Sequence, residues 1–118
     1  MTNIYKLVCD TLSTLGYPVR EQGTYAEGDT LPETHVTYQI LYQPNGSHAD
    51  NAPTSTISGV QVTLYSKDPA IVQSADDSIK AVMIPAGFMR AGGRPLPFDR
   101  ETGHYSYAST YNLYEMEG

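Results

Sequence analysis

Histidine, cysteine and paired carboxylates are the residues of this chain that could bind a metal ion or transfer a proton. The chain contains three histidines, His35, His48 and His104, and a single cysteine, Cys9. Zinc sites bring together four ligands, commonly as pairs a few residues apart. The four candidate ligands are far from one another in sequence, so the pattern predicts no metal site. Cys9 lies in an amphipathic run, which favours a buried thiol without redox chemistry.

The carboxylates also lack a pattern that would support catalysis or ion binding. Asp76 and Asp77 are adjacent on a predicted helix, so their side chains point in different directions. The segment DRETG at 99–103 has two acids but not the further acids and closing Glu of a calcium loop. Neither GxSxG nor a glycine-rich phosphate loop occurs. We therefore expect no catalytic residue, no cofactor and no metal, and a protein that is not an enzyme.

Charge and hydropathy restrict the partners of the chain. The 118 residues carry 13 acidic and 7 basic side chains, a net charge of −6. The basic residues are scattered, which disfavours specific binding to nucleic acid. No apolar run reaches the length of a membrane span and no secretory signal begins the chain, so we expect no membrane contact and a cytoplasmic site of synthesis.

The elements that would position these residues alternate between helix and strand. Apolar steps of three and four predict a helix over 3–15, and a second helix begins at Asp68-Pro69 and stops before Pro85. Period-two alternation predicts strands over 34–43 and 58–66, with Tyr42 on the same face as Val36. A third strand starts at Phe88, is interrupted by AGGRPLP (91–97), and leads through the turn at 99–103 to a last strand over 105–115. We expect residues 17–33 to hold at most a short extended piece near 18–20.

This order predicts an α+β fold in a single domain, with a mostly antiparallel sheet of about four strands and two helices packed on one face. The last strand has two unlike faces. Tyr105, Tyr107, Tyr111 and Leu113 share the face expected to meet the core, with tyrosine hydroxyls at its margin. The opposite face is small and polar, and we expect its residues Ser106, Thr110 and Asn112 to contact water or a neighbouring subunit.

The segment PNGSHADNAPTST, residues 44–56, is predicted to be a long polar flap between two strands. Asn45-Gly46 is a strong turn signal, but the segment is too long for a tight hairpin. Loops of this length without secondary structure are commonly functional. We expect it to become ordered against another protein, through the polar residues Asn45, Gly46, His48, Asp50, Asn51 and Thr54.

Nearly the whole chain resembles the tail-terminator, or tail-completion, proteins of long-tailed bacteriophages, also called head-to-tail joining proteins. The resemblance lies in the order of elements and in four segments: LGYPV (15–19), THVTYQI (34–40), VTLYSKDPAIV (62–72) and the final DRETGHYSYASTYNLYE (99–115). It implies a mixed sheet with helices on one face, and a structural protein of the virion tail or neck that is assembled in the host cytoplasm. Members of this family form a six-membered ring that caps the tail tube and faces the head connector or stopper protein.

The length of the flap and the interrupted AGGRPLP segment depart from the family pattern. An acidic ring would let DNA pass through without adhering to it. Two other interpretations remain open from the sequence: another small phage tail-tube or connector protein, or a small acidic protein that inhibits a host factor.

Overall fold

The computed structural model describes residues 3–24, 31–42 and 55–116. They form a single α+β domain built on one five-stranded sheet in the order β1-β2-β3-β5-β4. β1 is parallel to β2, and every other pair is antiparallel. The strands are β1 Val19–Glu21, β2 Thr34–Tyr42, β3 Ser55–Ser66, β4 Phe88–Asp99 and β5 His104–Met116.

Three helices pack on one face of the sheet: α1 Ile4–Ser13, α2 Pro69–Gln73 and α3 Ala75–Met83. Asn3 caps α1 by accepting a hydrogen bond from the Lys6 amide, and Gly16 follows the helix at a φ of 88°. Both features are typical of helix ends, and α1 lies within the predicted range 3–15. The core between helices and sheet is formed by apolar side chains from both layers, among them Val8, Leu12, Val60, Val62, Ile79 and Tyr111. The α+β prediction is therefore confirmed.

The second predicted helix is divided into two at Ser74. Asp68 caps α2 as expected, with its carboxylate accepting from the Ala70 amide at 3.0 Å. The Ser74 hydroxyl then donates to the carbonyls of Ala70 and Ile71, at 3.3 and 3.2 Å. Hydrogen bonds of this kind compete with the helical ladder. The structure thus has three helices where the apolar stripe predicted two.

The prediction of about four strands missed β1. This strand has only three residues, Val19–Glu21, so no alternation could be read from it. Its pairing with β2 is supported by a hydrogen bond from the Val36 amide to the Pro18 carbonyl, at 2.9 Å. The extended piece expected near 18–20 is therefore a parallel edge strand.

A bulge in β2 places Tyr42 on the face opposite to the one predicted. Ile40 is paired with Val60, but Tyr42 is paired with Gly59, so the register shifts between them. One extra residue in a strand reverses the face of every side chain after it. The Tyr42 ring consequently lies over Gly59, where a Cβ would collide with it. Its hydroxyl donates to Asn112 Oδ1 on β5.

The two remaining strand boundaries also differ from the prediction. β3 begins at Ser55, so two residues assigned to the flap belong to the sheet. β4 continues through AGGRPLP, with its register shifted between Arg90 and Gly92 and again between Leu96 and Asp99. Pro95 is tolerated because β4 is an edge strand. At an edge, the N–H group that proline lacks is not needed for a hydrogen bond to a second neighbouring strand.

An ion pair joins α3 to β4 at the margin of the core. Arg90 Nε donates to Asp76 Oδ1 at 2.8 Å, and Arg90 Nη2 donates to the Tyr107 hydroxyl at 3.1 Å. Burial alone would raise the pKa of Asp76, but Arg90 and then Lys80 outweigh it, so the pKa lies below its usual value. The stabilisation is therefore present above about pH 4 and is lost as pH falls through the lowered pKa.

Candidate assembly surfaces

The face of the sheet opposite the three helices, here called the open face, carries the predicted interface residues that the structure describes. Asn45, Gly46, His48, Asp50, Asn51 and Thr54 lie outside the described residues. Thr110 and Asn112 are partly exposed on the open face, as expected. Ser106 is on the same face but is buried, because its cross-strand neighbours Tyr65 and Leu96 are much larger. Ser106 therefore supplies no exposed surface in the single subunit.

Four large apolar side chains are exposed together at one end of the open face. Tyr42, Gly59, Asn112 and Met89 form one row across four strands, and Ile57 and Tyr114 form a second row beside it. The exposed fractions are 47% for Tyr42, 44% for Ile57, 60% for Met89 and 51% for Tyr114. We call Tyr42, Ile57, Met89 and Tyr114 the end patch. Clustered exposed apolar residues mark sites of contact with other molecules, whereas isolated ones do not.

Sequence reasoning missed the end patch, although one signal was present. On β5 the even positions Ser106, Thr110 and Asn112 are small or polar, and Tyr114 breaks this series on the same face. Ile57 was not assigned to a strand because β3 begins earlier than predicted. Tyr42 was assigned to the opposite face because the bulge in β2 was not predicted. The patch depends on the register of four strands, which no single segment reveals.

A second exposed apolar surface lies at the opposite end of the molecule. Phe98 and Tyr105 flank the turn between β4 and β5, with ring centroids 4.6 Å apart. They are 46% and 38% exposed. We call this pair the hairpin tip. The hairpin tip and the end patch lie at opposite ends of β4 and β5 in a molecule about 51 Å long, so they are separate surfaces.

The open face also brings together two histidines that the sequence separates by 69 positions. The ring of His35 stacks on Tyr65 with centroids 4.8 Å apart, and the ring of His104 meets His35 edge-on at 5.1 Å. Both histidines are almost fully buried, at 3% and 2% exposure. His35 Nδ1 lies 3.0 Å and His104 Nε2 2.9 Å from the same acceptor, the Pro32 carbonyl oxygen. The sequence separation of the two histidines gave no indication of this contact.

The histidine pair borders a cavity of about 210 Å³ whose lining includes Thr37, Asp99 and Thr102. Two buried polar atoms of this region, Thr37 Oγ1 and His104 Nδ1, have no hydrogen-bond partner among the described residues. Such an atom costs the folded state about 1–3 kcal/mol. Burial lowers the pKa of His35; the Pro32 carbonyl opposes this shift and nearby His104 adds to it. The closed arrangement therefore favours the neutral imidazole.

The described residues contain neither a metal-binding cluster nor a membrane-spanning helix. Within residues 3–24, 31–42 and 55–116, no group of three histidine, cysteine or acidic side chains is arranged to hold a metal ion. In the same part of the chain, no helix is both long and apolar enough to cross a membrane.

Comparison with known proteins gives a likeness of fold. No known protein family and no curated protein sequence matches the chain. Its structure is similar to a chain in the virion of the native gene transfer agent particle, with a TM-score of 0.53 and 11% sequence identity. The similarity covers 98% of this chain and 92% of that chain. At this identity the likeness establishes a shared fold over almost the full length of both chains.

Proposed function

We propose that this chain is a non-catalytic structural protein of a phage-like virion, and more specifically a tail terminator that joins the tail to the head. The observation that carries the proposal is the fold likeness to a virion chain, which extends over 98% of the present sequence. The sequence resemblance to tail-terminator proteins points to the same role. The proposed partners are further copies of this chain, the tail-tube protein and the head connector or stopper protein.

The two exposed apolar surfaces support assembly into a ring. In a heterologous contact each subunit offers one surface to a different surface of its neighbour, and such contacts form a ring when the rotation between neighbours closes. The end patch and the hairpin tip are two different surfaces at opposite ends of one subunit. A symmetric dimer would need only one of them. We propose a closed ring of six copies at the tail or neck of the particle, assembled in the host cytoplasm.

Net charge supports the passage of DNA through such a ring. The chain carries a net charge of −6, so a ring of six copies is strongly acidic. Like charge between the ring and the phosphate backbone prevents adhesion during DNA transit.

Loss of the protein from its native particle is expected to leave heads and tails unjoined. A frameshift early in the reading frame removes the cap, so electron micrographs of lysates should show free heads and tails of irregular length. Supplying the intact chain in trans should restore joined particles. Joined particles with normal tails in the frameshift strain would contradict the role at the neck, and free heads with tails of normal length would limit it to joining.

A further inference from the structure

The Pro32 carbonyl oxygen is the shared acceptor of two buried imidazoles that come from opposite ends of the chain. His35 lies at the start of β2 and His104 at the start of β5, on either side of β3. Both rings reach back to the same residue in the segment that precedes β2. A carbonyl oxygen has two lone pairs and can accept from both N–H groups at once. The pair thereby fixes this segment over the open face.

This arrangement determines the tautomer of each ring. Because both contacts end on an acceptor, His35 carries its proton on Nδ1 and His104 carries its proton on Nε2. The Nδ1 atom of His104 is then a bare lone pair, buried without a partner among the described residues.

Protonation of His35 would place a cation beside the buried ring of His104. The ring centroids are 5.1 Å apart and both side chains are almost fully buried. The described titratable groups that face the pair are Tyr65 from β3 and Asp99 from β4. Asp99 Oδ1 already accepts from the backbone amides of Glu101 and Thr102, at 2.9 and 3.4 Å. The described residues that line the cavity from the segment after β1 are Gln22 and Gly23, and both are uncharged.

We propose that residues 31–34 form a proton-operated strap, which the His35–His104 pair holds over the open face and which protonation of His35 releases. Release exposes Thr37 Oγ1 and His104 Nδ1 to water and opens the cavity of about 210 Å³ between β1 and the β4–β5 turn. The lowered pKa of His35 has the corresponding sign, because stability is present above the unfolded value of about 6.5 and is lost as pH falls below it.

The strap has a local reporter in the backbone. The Lys67 amide donates to the Glu33 carbonyl at 3.0 Å, so its hydrogen exchange measures whether the strap is in place. After correction for the intrinsic pH dependence of exchange, we expect the protection of this amide to fall about tenfold or more from pH 7 to pH 5. The Val62 amide, in the centre of the sheet, should keep its protection over the same range.

The matched variant replaces both rings by amides that donate from equivalent positions. Asn Nδ2 stands in for His35 Nδ1 and Gln Nε2 for His104 Nε2, so the double variant His35→Asn, His104→Gln keeps both donors and cannot take up a proton. We expect its Lys67 amide to remain equally protected at pH 7 and pH 5. The variant His48→Gln, which removes the third histidine, should respond to pH as the parent does.

Three results would overturn the proposal. They are unchanged Lys67 protection in the parent at pH 5, an equal loss in parent and double variant, or a joint loss at Lys67 and Val62 that reports global unfolding. Should the double variant not fold, the parent decides alone through the ¹⁵N spectra of its imidazoles at pH 7. The strap requires the Nδ1–H form of His35 and the Nε2–H form of His104, and either opposite tautomer contradicts it.

Discussion

Replacing Tyr111 with alanine is expected to lower the free energy of unfolding by about 3–5 kcal/mol, whereas Tyr111→Phe should change it by less than about 1 kcal/mol. Tyr111 is fully buried in the core, so the alanine variant leaves a large cavity. Its hydroxyl forms no hydrogen bond of normal geometry among the described residues, and the nearby Ser109 side chain only partly opposes the rise in its pKa, so phenylalanine removes a buried polar group with at most a weak contact. Urea denaturation of the three proteins at pH 7 measures both differences. A phenylalanine variant as unstable as the alanine variant would show that the hydroxyl, not the ring, stabilises the core.

The stabilities of the parent protein and of Tyr111→Phe are expected to respond differently to alkaline pH. Burial raises the pKa of Tyr111 to about 12, whereas the unfolded chain releases this proton near pH 10. Between these values the unfolded state loses the proton and the folded state keeps it, so stability falls as pH rises. At about 1.4 kcal/mol per pKa unit, the parent should lose roughly 2 kcal/mol relative to Tyr111→Phe by pH 12. An equal loss of stability in the parent and in Tyr111→Phe between pH 10 and pH 12 would contradict this prediction.

The double variant Tyr114→Ser, Met89→Ser is expected to abolish self-association while leaving the fold intact. Both side chains are more than half exposed in the single subunit, so their loss should change stability by no more than about 0.5 kcal/mol. A hot-spot residue at the centre of an interface, often a tyrosine, contributes about 2 kcal/mol or more, and its loss weakens the contact about thirtyfold. In the proposed ring this contact would recur at every subunit boundary, so the loss would be repeated around the ring.

The matched control for this variant is Tyr5→Ser. Tyr5 is 40% exposed on α1, which lies on the face opposite the end patch. Sedimentation velocity should show monomers for the double variant and the parent assembly for Tyr5→Ser, and both variants should keep the far-ultraviolet circular dichroism spectrum of the parent. An unchanged assembly in the double variant would exclude the end patch from the contact, and loss of assembly in Tyr5→Ser would place the contact on the helical face.

Patterns confined to one segment could be predicted from the sequence, and features that depend on the pairing of segments could not. The steps from Ile4 to Leu12 predicted α1, and Asp68-Pro69 predicted the start of α2. The open face depends instead on register. One bulged residue after Ile40 moved Tyr42 from the predicted core face to the end patch, and no local signal marks that bulge.

The histidine pair is the clearest case of a site that the sequence could not reveal. His35 and His104 meet because β2 and β5 both pair with β3, so their proximity follows from two registers together. Their shared acceptor is a backbone atom, which is not distinguished by residue type. The six flap residues proposed for assembly lie outside the described residues, and their role stays a prediction.

The central claim is that this chain assembles into a closed ring of a phage-like virion, and electron microscopy of the purified protein tests it most directly. We expect class averages with six-fold symmetry and a central opening, and a mass by light scattering of six times the 12.9 kDa chain. Particles that remain at the mass of one chain at every concentration, or open filaments without closure, would contradict the account.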